Sequence, residues 1–205
     1  MPAPHSPYRI AIVGGIGSGK SIVSRLFRIM DIPVYDCDSE AKLLMNKDIA
    51  LRSALTLAVG NQAYGPNGKL NRAFLASYMF GNPDRTALVN SIVHPTVRAH
   101  FSVWTTKSKS SVVAVETAIL FESGMDADVD AVVWVYASEE LRLQRAMQRD
   151  GADEAAIRRR MSNQMSVGEL SARATYRIDN DGTASLIAQV QQVIREINEK
   201  RNYLL

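Results

Sequence analysis

Short apolar runs alternate along the chain with stretches whose hydrophobic residues recur at helical spacing. The runs are rich in β-branched residues and predict five strands, at residues 8–13, 32–36, 111–116, 130–137 and 176–179. The clearest helical stripes cover residues 21–30, 138–150 and 184–200. Strands separated by helices pair in parallel, so we expect a five-stranded, doubly wound parallel α/β sheet.

A long helical segment at about residues 39–110 interrupts this alternation, and we expect it to form an insertion in one domain that spans residues 1–205. Turn-forming residues break the segment at 63–71 and at 81–84. His94-Pro95 predicts a further break, because proline removes a helical hydrogen bond.

Composition excludes several classes of protein. The 205 residues are 46% hydrophobic and 22% charged, as in soluble globular domains. A net charge of +3 is too small to favour nucleic acid over small anions, and no apolar run reaches the about 20 residues of a membrane span. The single cysteine, Cys37, cannot form an internal disulfide. We therefore expect a cytoplasmic protein without nucleic-acid or membrane partners, monomeric or weakly homo-oligomeric.

The stretch AIVGGIGSGKS, between the first strand and the following helix, predicts a phosphate-binding loop. Gly14 is followed after four residues by Gly19, Lys20 and Ser21, the spacing of a P-loop. Lys20 can reach the β- and γ-phosphates of a nucleoside triphosphate, and the Ser21 hydroxyl can bind Mg²⁺. The residues predicted to hold the nucleotide here are Gly15, Ile16, Gly17, Ser18, Gly19, Lys20, Ser21 and Ile22.

Several motifs, in order, make the chain resemble the dephospho-coenzyme A kinases over about residues 8–198. They are GGIGSGKS, IPVYDCDSEAK, GKLNRAFL, IVHPTV, ETAILFE, LQRAMQRD, RMSNQ and YRIDNDG. The resemblance implies a P-loop kinase fold with a helical acceptor-binding insertion. It also implies transfer of a phosphoryl group from Mg²⁺ and ATP to the ribose 3′-hydroxyl of dephospho-coenzyme A, giving coenzyme A and ADP in the last step of its synthesis.

Asp38 follows the second strand, and the resemblance makes it the catalytic group that takes or orients the hydroxyl proton of the acceptor. The alternative is that Asp38 caps a helix starting near Ser39. For Asp36, two residues earlier, a structural or Mg²⁺-side role is expected.

A small helical lid is expected at about residues 140–175. Arg145 and Arg149 share a helix face there, and the resemblance places Arg145 at the nucleotide and Arg149 at the phosphates, with Lys20 as a further catalytic cation. A solvated basic face is the alternative. Arg160, with Gln164 four residues later, matches a lid motif of the family.

The remaining assignments also rest on the resemblance. Asn180 would contact adenine, although Asn-Asp-Gly is a sufficient turn by itself. Arg72 and His94 would bind dephospho-coenzyme A. Glu122 is assigned to the same substrate, with a salt bridge as its alternative, and Glu116 is a weaker candidate near Mg²⁺.

Two other functions stay open from the sequence. One is a kinase for a different hydroxylated acceptor, such as a nucleoside, since the helical insertion is hard to interpret. The other is a nucleotide-binding domain without turnover, which would not require an acceptor to be present.

Overall fold

The computed structural model describes residues 6–203, which are built around a five-stranded sheet. Its strands are β1 (Tyr8–Val13), β2 (Val34–Asp36), β3 (Val112–Glu116), β4 (Ala131–Tyr136) and β5 (Tyr176–Asp179). Their order across the sheet is β2-β3-β1-β4-β5. Strand β1 pairs in parallel with β3 and β4, and β4 pairs in parallel with β5. The predicted five-stranded parallel α/β sheet is confirmed.

Nine α-helices occur within residues 6–203. They are α1 (Lys20–Ile29), α2 (Cys37–Lys47), α3 (Ile49–Val59), α4 (Arg72–Met79), α5 (Pro83–Lys107), α6 (Glu139–Asp150), α7 (Glu154–Ser162), α8 (Val167–Arg173) and α9 (Leu186–Tyr203). Helix α8 begins with a reciprocal capping box between Ser166 and Glu169, which satisfies backbone donors that the first turn leaves unpaired. In this part of the chain no helix is both long enough and apolar enough to cross a membrane.

Helices α1 and α9 cover one face of the sheet. Val23 and Phe27 of α1 and Val190 of α9 join Ile12 and Val133 in one buried cluster. Side chains alternate between the two faces of a strand, so the neighbours of Val133 along β4 belong to the opposite face. Trp134 lies on that opposite face, where α8 packs against β4.

The chain divides into two compact units. Residues Asp36–Lys107 form one unit, which contains α2 to α5, and the rest of the described chain forms the other. The sheet, the glycine-rich loop and α6 to α9 therefore belong to this second unit, apart from the last residue of β2.

Helix α5 runs without interruption from Pro83 to Lys107, so the predicted break at His94-Pro95 is wrong. Its buried residues recur every fourth position, at Val89, Val93, Val97, Phe101 and Thr105. An interior proline costs a helix about 3 kcal/mol. Each buried large apolar side chain contributes about 1.5–3 kcal/mol. The free energy gained by burying this continuous stripe on both sides of Pro95 therefore exceeds the cost of the proline.

Candidate active site

The glycine-rich loop, residues 14–21, connects β1 to α1 and passes close to two other segments. Gly17 has φ 77°, and a Cβ there would collide with the backbone carbonyl of Arg142. Gly19 is the N-cap of α1 with φ 92°, and a Cβ there would collide with the side-chain amide of Asn180. Both conformation and space therefore require glycine at these positions.

Backbone donors of the loop are available to an anion. The N–H groups of Gly17, Gly19 and Ser21 donate no hydrogen bond to any described residue. They lie at the start of α1, where the helix dipole favours negative charge. Lys20 Nζ donates to the carbonyl oxygen of Gly14 at 2.7 Å and to that of Gly15 at 3.4 Å. This arrangement fits the phosphates of a nucleotide.

The described residues offer few oxygen ligands for Mg²⁺ near the loop. This agrees with the usual Mg²⁺ site of a nucleotide-binding protein, where phosphate oxygens and water supply most of the ligands. No group of three or more His, Cys, Asp or Glu side chains able to hold a metal lies within residues 6–203. The Ser21 hydroxyl, in the first turn of α1, makes no hydrogen bond within the same residues. That free oxygen beside the unpaired loop amides fits a Mg²⁺ ion that also binds phosphate.

Asn180 supports the end of the loop that leads into α1. Its buried side chain donates from Nδ2 to the Ser18 carbonyl at 2.8 Å, and its own carbonyl accepts from Arg145 Nη1 at 2.9 Å. Of the two residues assigned to the nucleotide side, Asn180 therefore contacts the loop and Arg145 contacts Asn180. Adenine contact by Asn180 stays a prediction, and its Nδ2 already has a backbone partner.

The opposite end of the loop contacts Gln164 and Arg142. The Ile16 N–H donates to Gln164 Oε1 at 2.8 Å. Arg142 Nη1 lies so close to Gly15 that a Cβ there would collide with it. The Arg142 guanidinium makes no hydrogen bond or ion pair with any described residue. A spacing of three from Arg145 places Arg142 on a neighbouring part of the same helix face, but this spacing does not by itself single out Arg142 as the arginine beside the loop.

Arg149 and Arg160 share Asp150 as a partner. Arg149 Nε lies 2.7 Å from one carboxylate oxygen of Asp150, and Arg160 Nη1 lies 2.6 Å from the other. Hydrogen bonds from Arg149, and to a smaller extent from Arg160, lower the pKa of Asp150 to about 2. Both guanidinium groups are therefore neutralised on the surface of the lid, and contact of Arg149 with phosphate stays a prediction.

Glu122 lies beside the loop. It lines a small cleft together with Gly14, Gly15 and Gln164. It forms no ion pair with a described residue, so the alternative of a salt bridge is not observed. Glu116 ends β3 and is half-buried.

The other acceptor-side candidates, apart from Glu122, belong to the unit formed by Asp36–Lys107. Asp36 is the N-cap of α2, because its carboxylate accepts from the Ser39 N–H at 3.1 Å and from the Ser39 hydroxyl at 2.8 Å. The alternative that Asp38 is the cap is therefore wrong, and Asp38 is an exposed residue in the first turn.

Two further acceptor-side candidates lie on helices of the same unit. Arg72 is the exposed first residue of α4. His94 is half-buried on α5, and this burial lowers its pKa below the ordinary value. Their assignments to substrate stay predictions.

A parallel sheet in the order β2-β3-β1-β4-β5, with the glycine-rich loop between β1 and α1, defines a P-loop nucleotide-binding protein. Comparison with known sequences specifies the family. The family described as dephospho-CoA kinase matches residues 8–185. The chain therefore belongs to the dephospho-CoA kinase family.

Curated relatives agree over nearly the whole chain. A dephospho-CoA kinase of Bacteroides fragilis strain YCH46 is 42% identical over 197 residues, covering 96% of each chain. One from Porphyromonas gingivalis is 42% identical over 193 residues, covering 94% of this chain and 95% of the relative.

Solved structures share the fold. The Thermus thermophilus protein TT1252 has a TM-score of 0.79 at 31% identity, covering 93% of this chain and 97% of that one. A dephospho-CoA kinase from Campylobacter jejuni has a TM-score of 0.69 at 22% identity, covering 94% and 98%. The latter likeness concerns the fold alone.

Proposed function

We propose that this protein transfers the γ-phosphoryl group of ATP to the ribose 3′-hydroxyl of dephospho-coenzyme A, producing coenzyme A and ADP. The observation that carries the proposal is the loop at residues 14–21. Its unpaired N–H groups and Lys20 form a phosphate site in a chain of the dephospho-CoA kinase family.

The loop and Lys20 bind the triphosphate of ATP. On binding, Lys20 exchanges its contacts with the Gly14 and Gly15 carbonyls for phosphate oxygens, so its resting position marks the γ-phosphate end of the site. Asn180 contacts Ser18 at the other end of the loop and Arg145 contacts Asn180, and this supports their assignment to the nucleoside part of ATP.

Asp38 accepts or orients the proton of the acceptor hydroxyl. As the hydroxyl oxygen bonds to the γ-phosphorus, the bond from that phosphorus to the β–γ bridging oxygen breaks and ADP leaves. The proposal for Asp38 is supported by the motif IPVYDCDSEAK and by its place two residues after β2. The carboxylate of Asp36 is occupied by Ser39, and Glu40 Oε2 lies 3.8 Å from His100 Nδ1, which leaves Asp38 as the available acid of this motif.

Ser21 would hold Mg²⁺ together with the β- and γ-phosphates. When bound, the ion neutralises charge that develops on the phosphate oxygens during transfer. Lys20 and Arg142, at the Gly15 end of the loop, add positive charge in the same region. We also propose that the protein acts in the cytoplasm, on small molecules only, as a monomer or a weak homo-oligomer.

The decisive experiment measures ADP release from ATP and Mg²⁺ with dephospho-coenzyme A and, separately, with a panel of nucleosides. We expect a rise only with dephospho-coenzyme A, accompanied by coenzyme A. ADP release with a nucleoside would support kinase chemistry but contradict dephospho-coenzyme A as the acceptor. ATP binding without any acceptor-dependent turnover would reject the enzymatic function.

A further inference from the structure

The lid holds Ile16 of the loop by both its backbone and its side chain. The Ile16 N–H donates to Gln164 Oε1 at 2.8 Å. The Ile16 side chain packs against a small buried cluster on α6 and α7, formed by Leu143, Ala146 and Ile157. All of these residues belong to the unit that carries the sheet. The phosphate contacts proposed above use neither of these two attachments.

The hydrogen bond to Gln164 removes the Ile16 N–H from the donors available to a phosphate. A backbone N–H offers a single proton, and Gln164 Oε1 already accepts it. The N–H groups of Gly17 and Gly19 instead have no partner among the described residues. A phosphate therefore binds these two groups without breaking a hydrogen bond of the protein, whereas binding Ile16 would leave Gln164 Oε1 without its donor.

Gln164 lies where it can act as a fixed acceptor. It directly follows Asn163, the C-cap of α7, and its own N–H donates to the Met161 carbonyl at 3.1 Å. Its side chain is half-buried, and only its oxygen can accept from the Ile16 N–H, which fixes the orientation of the side-chain amide. The end of α7 therefore fixes the position of Ile16.

Glycines surround Ile16 and make this part of the loop adaptable where nothing anchors it. Gly14, Gly15 and Gly17 have no side chains, and glycine has the greatest backbone freedom of all residues. Ile16 is thus the one residue of positions 14–17 whose side chain can pack against another element. Its two attachments limit motion that the neighbouring glycines would otherwise permit.

The segment held in this way contributes to the γ-phosphate end of the site. The Gly15 carbonyl lies 3.4 Å from Lys20 Nζ, and Arg142 Nη1 lies close against Gly15. Gly17, on the other side of Ile16, carries one of the unpaired N–H groups. Because each peptide unit is rigid, a displacement of Ile16 also displaces the groups of Gly15 and Gly17. The attachment of Ile16 therefore controls where donors and cations meet the transferred phosphoryl group.

We propose that Gln164 is a positioning residue for phosphoryl transfer. It keeps the Ile16 N–H before and after ATP binds, so Ile16 serves the site as an anchor to the lid and not as a hydrogen-bond donor to phosphate. This inference rests on the proposed function, since it assumes transfer of the γ-phosphoryl group of ATP. A displacement of about 1 Å at a reacting group can cost about 10²-fold in rate. Loss of the anchor therefore lowers kcat, while Lys20 and the N–H groups at the start of α1 still hold the nucleotide.

The test removes the acceptor oxygen of Gln164. Gln164→Met keeps a side chain of similar length whose thioether is only a weak acceptor. We expect it to lower kcat with dephospho-coenzyme A about 10- to 100-fold, while the KM for ATP and the Kd for ADP stay within about twofold of the wild-type values. Asn163→Leu is the matched control, because Asn163 is the exposed preceding residue and its side chain makes no hydrogen bond within residues 6–203. It should leave all three constants unchanged.

Gln164→Glu tests whether the acceptor oxygen is the feature that matters. Its carboxylate can accept from the Ile16 N–H, so its kcat should exceed that of Gln164→Met. Its KM for ATP should rise above the wild-type value, because a negative charge is added beside the loop that binds phosphate. Equal kcat values in the two variants would contradict the proposal.

Other outcomes also overturn the proposal. Unchanged kcat in Gln164→Met means that the contact does not position the loop, and a raised KM for ATP with unchanged kcat means that Gln164 only binds nucleotide. A kcat that falls only in proportion to the folded fraction, measured by thermal unfolding, means a purely structural role. If wild-type protein fails to phosphorylate dephospho-coenzyme A at all, the proposed function fails, which is a distinct result.

NMR on the wild-type protein covers the case in which the variants do not fold. We expect the Ile16 N–H to be protected from hydrogen exchange both without nucleotide and with ADP and Mg²⁺, whereas the Gly17 N–H becomes protected only with nucleotide. A scalar coupling across the hydrogen bond, between the Ile16 nitrogen and Gln164 Cδ, should be present in both states. Its disappearance when ADP binds would mean that the Ile16 N–H turns to phosphate, and the proposal would fail.

Discussion

Lys20 and Asp38 offer the clearest separation of roles among single residues. Lys20 lies on the loop with contacts that phosphate would replace, whereas Asp38 is exposed and outside the loop. We expect Lys20→Met to raise the KM for ATP at least about tenfold, because it removes a charge-assisted contact worth about 1.5–3 kcal/mol.

Asp38→Asn should instead lower kcat by about 10²–10⁴-fold, the usual contribution of an acid–base group, with the KM for ATP nearly unchanged. Steady-state kinetics and ATP titration calorimetry on both variants measure the difference. Loss of ATP binding in Asp38→Asn would contradict this division of roles.

Asn180 is a buried polar residue whose removal leaves the Ser18 carbonyl without its partner. Asn180→Ala should lower the free energy of unfolding by about 1–3 kcal/mol, the cost of an unsatisfied buried group. The exposed neighbour Asp181→Ala serves as the control in urea denaturation.

The same variant separates two roles of Asn180 in nucleotide binding. If the residue only supports the loop, the KM for ATP and for GTP should rise by the same factor. If it contacts adenine, the preference for ATP over GTP should fall. The ratio of the two kcat/KM values decides between them.

Helices α6 and α7 are joined on the lid surface by the Asp150 carboxylate, which binds Arg149 and Arg160. If Arg149 serves the phosphates, it has to leave Asp150 first. Asp150→Asn should then lower the KM for ATP by up to about fivefold, since exposed ion pairs are worth about 0.2–1 kcal/mol. Glu154→Gln, which removes one of the two carboxylates that pair with Arg158 on the same lid, is the control. An unchanged KM for ATP in Asp150→Asn would argue against phosphate contact by Arg149.

Element boundaries were predictable where a local signal fixes them. The capping box at Ser166 and Glu169 and the N-cap at Ser138 are each set by side chains three residues from their backbone partners. Pro95 shows the limit of such reasoning. Its local signal predicts a break, but the buried stripe of α5 depends on packing that no short window contains.

Metal dependence is a property of the whole catalytic assembly. We expect removal of Mg²⁺ with EDTA to abolish ADP formation and restored Mg²⁺ to recover it, since phosphoryl transfer needs the cation to neutralise charge. Ser21→Ala should raise the Mg²⁺ concentration needed for half-maximal rate and leave thermal stability nearly unchanged, because its hydroxyl has no partner in the described chain. Activity in Ser21→Ala at the wild-type Mg²⁺ requirement would reject Ser21 as a ligand.

For the molecule as a whole, the sequence by itself determined the parallel sheet, the P-loop and the family. These depend on contiguous patterns, such as AIVGGIGSGKS between a strand and a helix, whose backbone preferences are local. The tertiary structure alone decided what surrounds the loop. Gln164 reaches Ile16 across 148 positions and Asn180 reaches Ser18 across 162. Such contacts depend on how distant elements pack. The same packing places the unpaired guanidinium of Arg142 beside Gly15, whereas Arg149 is paired with Asp150. The spacing of these arginines along the helix does not predict this difference.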